Sequence, residues 1–206
     1  MHASRPLDAD AQVHDGLTPA QRRRREAIIS ATSDMLATRE PAQIHMRDIA
    51  AEAGVALGTL YRYFPSKELL YAHCVAAWGQ AFAPMTRTQN SKAASDAERI
   101  SRVLRRTVKA YERWPNFYRL IALLEITDDS EARSVYQVFY ESYRALLATV
   151  LVDTDPDDAA VVVQMLLSSL GNALGKWFLG EWKVEAVHAH VTKAVELIFG
   201  QPRKRA

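Results

Sequence analysis

Apolar residues recur along most of the chain with a period near 3.6, and proline, glycine and acidic residues cut that pattern into about nine helical runs. No stretch shows the strict alternation of a half-buried strand. From Arg22 to Thr38, positions Ile28, Ala31, Met35 and Leu36 share one face. A second run begins near His45 and stops at Gly54, where glycine accepts the positive φ of a tight turn. A short helix over Leu57 to Phe64 follows, and Pro65-Ser66 breaks the chain. Ser66 is placed to cap a helix starting at Lys67, running through Trp78 to Phe82 and ending before Pro84. Residues 86–95 are small and polar and read as a linker. Ile100, Val103, Leu104, Thr107, Val108 and Tyr111 then form a stripe. Pro115 opens a short helix with Phe117, Leu120, Ile121 and Leu124 inward. Asp128-Asp129-Ser130 opens a long one with Val135, Tyr136, Phe139, Tyr143, Leu146, Leu147 and Val150 inward. Asp155-Pro156-Asp157 starts a strongly apolar run, and Val187, Val191, Ala194, Val195 and Ile198 line the last helix before Gly200 stops it. The fold class is all-α.

The run from Val161 to Leu179 has the length of a short membrane span. Gln164, Ser168, Asn172 and Lys176, four apart, lay a polar stripe along it that would be costly in lipid, so it is expected to be a core or interface helix. The 206 residues are 49% hydrophobic and 24% charged, enough for a sizeable core. A net charge of +2 announces no partner, but its distribution is uneven: Arg22 to Lys67 holds eight Lys/Arg against five Asp/Glu. Asp8, Asp10 and Asp15 mark a loose N-terminal arm over 1–20. The basic end Pro202-Arg203-Lys204-Arg205 reads as a disordered tail over 201–206. The single cysteine, Cys74, excludes an intramolecular disulfide and suits a reducing compartment. It is expected to be a small buried hydrophobe. With no basic-then-apolar leader, a cytoplasmic chain is expected.

The informative string is Met46 to Phe64, MRDIAAEAGVALGTLYRYF. Two short helices joined through a glycine, behind a longer one, are the plan of a helix-turn-helix. Ile49, Ala50, Ala53, Leu60 and Phe64 can pack on the first helix, with small alanines permitting close approach. Leu57, Gly58, Thr59, Tyr61, Arg62 and Tyr63 then remain outside. They offer hydroxyls and a guanidinium for phosphates and base edges, and an apolar side chain for a thymine methyl. Lys67 adds positive charge at a helix N-terminus.

This string resembles the signature of TetR-family transcription regulators, R-D-I-A-x-x-A-G-V-x-x-G-T-L-Y-x-Y-F-x-x-K-E-x-L. It is met here by Arg47, Asp48, Ile49, Ala50, Ala53, Gly54, Val55, Gly58, Thr59, Leu60, Tyr61, Tyr63, Phe64, Lys67, Glu68 and Leu70. The resemblance covers about residues 25–85. His45 and Ala56 stand where the family commonly has a capping Thr or Ser, a loss worth roughly 0.5–2 kcal/mol each. The resemblance implies a helix-turn-helix domain over 21–66 and a ligand-sensing, dimerising domain over 67–200. It implies palindromic double-stranded operator DNA as partner and repression as the usual mode. Arg47, Thr59, Tyr61, Tyr63 and Lys67, with His45 as a weaker contact, would meet the backbone, and Leu57, Gly58 and Arg62 the base edges. Arg22 to Arg25 read either as the solvated start of the first helix or as a flexible basic arm reaching the minor groove.

By the same resemblance, the last two long helices pair two subunits. Gly171 and Gly175 make a shallow strip, expected at or beside a homodimer seam against Val187, Val191, Val195 and Ile198. Trp78, Phe82, Tyr111, Trp114, Phe117, Tyr118, Phe139, Tyr143 and Trp177 are dense aromatics around the expected cavity, and about a third of them should line it. Their few charges imply an apolar small-molecule effector. GTLYRYFPSK is also similar to its counterpart in KstR-type regulators of sterol and lipid catabolism, which respond to acyl-CoA thioesters. The alternative is a DNA-binding protein of this fold controlled by a protein partner.

Catalysis is not expected. GNALGK at Gly171 to Lys176 lacks one spacer of a phosphate loop, and Trp177 replaces its Ser or Thr. His188 and His190, two apart, fall on different helix faces and do not form a metal pair. No cofactor is expected.

Overall fold

The computed structural model describes residues 17–87 and 95–200, the side chains of 81–87 excepted. Residues 1–16 of the expected arm, the expected basic tail (201–206) and most of the expected linker (88–94) lie outside the described residues, as does the side chain of Phe82, while the last two residues of the expected arm, Pro19 and Ala20, are helical. Nine α-helices and no strand occur among the described residues: α1 Pro19–Thr38, α2 Met46–Glu52, α3 Leu57–Tyr63, α4 Lys67–Arg87, α5 Asp96–Arg113, α6 Pro115–Glu125, α7 Ser130–Ala148, α8 Pro156–Phe178 and α9 Val184–Phe199, with a 3-10 turn at Pro41–Gln43.

Most helix starts follow from capping chemistry. α1 begins three residues earlier than its apolar stripe suggests, because Thr18 and Gln21 exchange backbone–side-chain hydrogen bonds of 2.7 and 3.3 Å around Pro19. Ser66 Oγ accepts from the Leu69 amide at 3.0 Å, as expected for the start of α4. Asp129 Oδ1 accepts from the Glu131 and Ala132 amides at 3.0 and 2.9 Å, and Asp155 accepts from the Asp157 amide at 3.0 Å. One stop signal fails: α4 passes Pro84 and reaches Arg87. A proline inside a helix removes one hydrogen bond, and the helix-favouring alanines and methionine around it carry the helix across.

The chain divides into two compact units. The first holds residues 17–82 and 114–143. Its core collects Ile28, Leu36, Ile44, Ile49, Leu60, Phe64, Leu70 and Tyr71, all fully buried. Asn116 ties α6 to the end of α1 by donating to the carbonyls of Leu36 and Arg39, each at 2.8 Å. Cys74 is sealed in this core, and burial pushes its thiol up to about 12, so it is an inert hydrophobe at neutral pH.

The second unit holds 83–87, 95–113 and 144–200, with α9 packed on both α5 and α8. Asp96 stitches the start of α5 to the α7–α8 loop: its carboxylate accepts from the Val152 amide at 2.9 Å, the Thr154 hydroxyl at 2.6 Å and the Arg99 guanidinium. Burial pushes the Asp96 carboxyl up, but these bonds outweigh it and leave it below the ordinary carboxylate range. α8 buries Val163, Leu166, Leu170, Ala173 and Leu174. It is the one described helix long and apolar enough to cross a membrane, yet its outer side carries the Gln164–Ser168 side-chain hydrogen bond at 3.2 Å.

Candidate nucleic-acid interface

The helix-turn-helix is built by two fixed ends. Ile49 and Ala50 of α2, Leu60 of α3 and Phe64 at its C-terminal cap sink into the core. Between them Gly54 takes φ +64°, a left-handed conformation that strains any side chain. The Val55 amide returns to the Ala50 carbonyl at 2.9 Å and closes the turn. With Leu60 and Phe64 four apart and inward, the opposite side of α3 must face out. Leu57 and Tyr61 are exposed to 42% and 46%, and Gly58 and Arg62 are exposed. Thr59 is half-buried. Neither His45 nor Ala56 makes a side-chain cap.

Five of the nine sequence-derived contact residues converge. His45, Arg47, Leu57, Tyr61 and Lys67, with Ile44 and Met46, line a concavity of about 470 Å³. Arg47 reaches outward, its side chain 77% exposed and 3.4 Å from Asp48. The Lys67 ammonium lies 5.3 Å from the centre of the Tyr71 ring. Partial burial lowers its proton affinity, with Glu68 opposing that shift. A groove walled by two cations, a phenol and an imidazole, with an apolar floor, suits a phosphodiester backbone running past it. Ile44 and Met46 were not singled out in the sequence, because their apolar character marks them as core.

Two expectations are corrected. The Tyr63 hydroxyl is buried with no hydrogen-bond partner, so it is not presented to DNA in this conformation. Its ring packs against the core, and the Arg62 guanidinium stands 5.7 Å above it. Arg22 to Arg25 do not form a flexible arm, since all four lie in α1, and Arg25 is buried. Arg25 meets His73 Nδ1 at 2.8 Å and lies 5.3 Å from the Phe64 ring centre. The spacing of Thr18 and Gln21 around Pro19, a capping box in the structure, is the sequence signal that could have placed these arginines inside a helix.

The expected pocket aromatics divide between the units. Trp78, Trp114, Phe117, Tyr118, Phe139 and Tyr143 fall in the first, while Tyr111 and Trp177 fall in the second. Trp78 stacks on Phe117 at 4.9 Å, and Phe139 on Tyr143 at 6.2 Å. Tyr118 is half-buried, and burial raises its phenol. Of the expected seam residues, Val187, Val191 and Val195 are buried within their own unit and keep almost no surface for a partner. A stripe read from one helix cannot say whether its own chain or a second copy covers it. Gly171 has open space where a side chain would be, Gly175 and Ile198 are half-buried, and Val161, Met165, Leu179 and Leu197 are exposed.

Residues 28–74 match the family model described as bacterial regulatory proteins, tetR family. The HTH-type transcriptional repressor KstR of Rhodococcus jostii is 28% identical over 188 residues, spanning 90% of this chain and 87% of that one. A TetR transcriptional regulator from a Rhodococcus species superposes with a TM-score of 0.74 at 20% identity, covering 87% of this chain and 97% of the other. Thermus thermophilus FadR, a repressor solved with lauroyl-CoA, superposes with a TM-score of 0.70 at 16% identity, covering 88% and 97%.

Proposed function

We propose that the chain is a TetR-type cytoplasmic homodimeric repressor that leaves operator DNA when an acyl-CoA-like effector binds. The DNA assignment rests above all on the concavity where His45, Arg47, Leu57, Tyr61 and Lys67 meet beside the exposed side of α3. Residues 21–66 serve as the reading domain. The tyrosine and the two cations hold phosphates, while Leu57, Gly58 and Arg62 approach base edges. The region 67–200 senses the effector and dimerises. Exposed apolar side chains on α8 and α9, namely Val161, Met165 and Leu197, and the open space at Gly171 support the pairing role. Two reading helices about 34 Å apart would then enter successive major grooves of a palindrome.

Support for the effector class comes from two sides. The FadR neighbour was solved with lauroyl-CoA. In this chain, two aromatic stacks, Trp78–Phe117 and Phe139–Tyr143, supply apolar surface suited to an acyl chain or a fused-ring body. Release requires that the effector prefer the non-binding form by several kcal/mol.

Gel shifts against a duplex that the purified protein enriches from a random pool, repeated with lauroyl-CoA, stearoyl-CoA and free CoA, test both halves. A shifted band that acyl-CoA abolishes and free CoA leaves intact is the expected result. Enrichment of no duplex would remove the DNA reading. A band indifferent to every thioester would remove only the effector class.

A further inference from the structure

The start of α4 is held by a residue far away in sequence. Ser66 Oγ, which caps α4 through the Leu69 amide, donates its own proton to Asp129 Oδ2. The other oxygen of that carboxylate, Oδ1, accepts from the Glu131 and Ala132 amides and starts α7. One carboxylate therefore caps α7 through Oδ1 and holds the capping residue of α4 through Oδ2. The group is itself fixed: the Asp129 amide donates to Thr127 Oγ1 at 3.3 Å, and the Arg133 guanidinium donates to the Thr127 carbonyl. Bonds from the Ala132 amide and the Ser66 hydroxyl hold the Asp129 carboxyl below the ordinary range, so it stays an anion at neutral pH. The residue after Ser66 is Lys67, which lines the DNA-facing concavity.

We propose that Asp129 is a positioning residue for the DNA interface: by clasping Ser66 it locks the first turn of α4, and Lys67 with it, to the first turn of α7. The claim rests on the DNA reading given above. α4 and α7 meet a second time at Gly79 and Phe139, thirteen residues further along α4, or about 20 Å at helical rise. A helix fixed to its neighbour at two such separated points moves with it as a lever. The Ser66–Asp129 bond is the end of that lever nearest the DNA, and Phe139 is the end within the aromatic stacks. A displacement of α7 imposed at Phe139 reaches Lys67 through Asp129.

The test compares Asp129→Ala, Ser66→Ala, the double variant and the conservative Ser66→Thr. Their affinity is measured for a duplex selected by the wild type, at several salt concentrations, together with amide hydrogen exchange over residues 67–70. Asp129→Ala leaves the Ser66 cap of α4 in place, so a purely local helix defect predicts no effect on DNA. The proposal predicts about tenfold weaker binding for either single variant, the loss expected of one hydrogen bond to a charged group. It also predicts no further loss in the double variant, wild-type behaviour for Ser66→Thr, and faster exchange at 67–70. The salt slope should stay unchanged, because the phosphate contacts are the same in number. Additive losses, or an Asp129→Ala protein with wild-type affinity and exchange, would overturn it. Should Asp129→Ala not fold, Asp129→Ser, whose hydroxyl can still accept from the start of α7 but is too short to clasp Ser66, answers the same question. If the wild type selects no duplex, the DNA reading falls, and the exchange data alone decide whether Asp129 locks α4.

Discussion

Arg25 of α1 donates to Nδ1 of His73 on α4 across 2.8 Å, with both residues buried and the ring of Phe64 lying against each of them. The reading helix α3 is thus backed at its last anchor by a cation and an imidazole instead of plain hydrocarbon. His73→Leu removes one acceptor from a buried guanidinium and should lower unfolding free energy by about 1–3 kcal/mol. His73→Gln, which can still accept, should lose less. Urea unfolding of the two variants decides the matter, and equal losses would mean that packing, not the hydrogen bond, is what His73 contributes.

Tyr61 and Tyr63, two apart on one short helix, should behave oppositely. The Tyr61 side chain lines the concavity, whereas the Tyr63 hydroxyl is buried without a partner. Tyr63→Phe removes an unsatisfied polar atom, so it should raise stability by about 1 kcal/mol and change affinity for a selected duplex by no more than about twofold. Lys67→Met should weaken binding to all duplexes and reduce the salt slope by about one. Fluorescence anisotropy titrations at several salt concentrations give both answers. A large loss in Tyr63→Phe would show that its hydroxyl turns outward on DNA.

How far the sequence could carry these assignments depends on what kind of signal each residue gives. Ser66, Asp129 and Asp155 act as local caps, and the helical run that opens just after each one reveals it. Ile49, Leu60 and Phe64 follow helical spacing, and the exposed side of α3 is fixed by elimination. Tyr63 could not be placed that way, because its ring and its hydroxyl have opposite preferences and only packing decides between them. Arg25 reads as one more member of a basic run until a fold supplies His73, 48 positions away, as its partner. Val187, Val191 and Val195 were legible as an apolar stripe but not as belonging to their own chain's core. The Ser66–Asp129 bond spans 63 positions, and no periodicity reports it.

Asp96 and Asp129 together set an acid limit. In Asp96, burial opposes ionisation but hydrogen bonds from Thr154 and Arg99 outweigh it; in Asp129, the Ala132 amide and Ser66 hydroxyl favour the anion outright. Both carboxyls bind protons less readily folded than unfolded, so their stabilisation is fully present above the unfolded value of about 4. It drains away as pH falls through the lower folded values. Unfolding free energy should therefore be level from neutrality to about pH 5 and fall below about pH 4. Asp96→Asn should lower the plateau and flatten the acid limb. An unchanged limb in that variant would place the acid sensitivity elsewhere.

The approach of Phe139 on α7 to Gly79 on α4 yields the sharpest test of the aromatic region. A Cβ added to Gly79 would collide with Cε2 of Phe139, so only a glycine lets that ring lie against α4. Phe139 is buried and stacks on Tyr143 at 6.2 Å and 14°, which leaves the ring little room to retreat without disturbing its neighbour. Gly79→Ala gains helix propensity of about 1 kcal/mol, but the displaced ring costs more, since overpacking typically costs about 1–3 kcal/mol. The net expectation is a modest loss of thermal stability. Phe139→Leu alone should also destabilise, through the smaller volume it leaves. The pair Gly79→Ala/Phe139→Leu should be more stable than the sum of the single losses predicts, because the new methyl fills space the ring has vacated. Thermal unfolding of the three variants measures that coupling, and strictly additive losses would show that Gly79 and Phe139 do not share the space assigned to them.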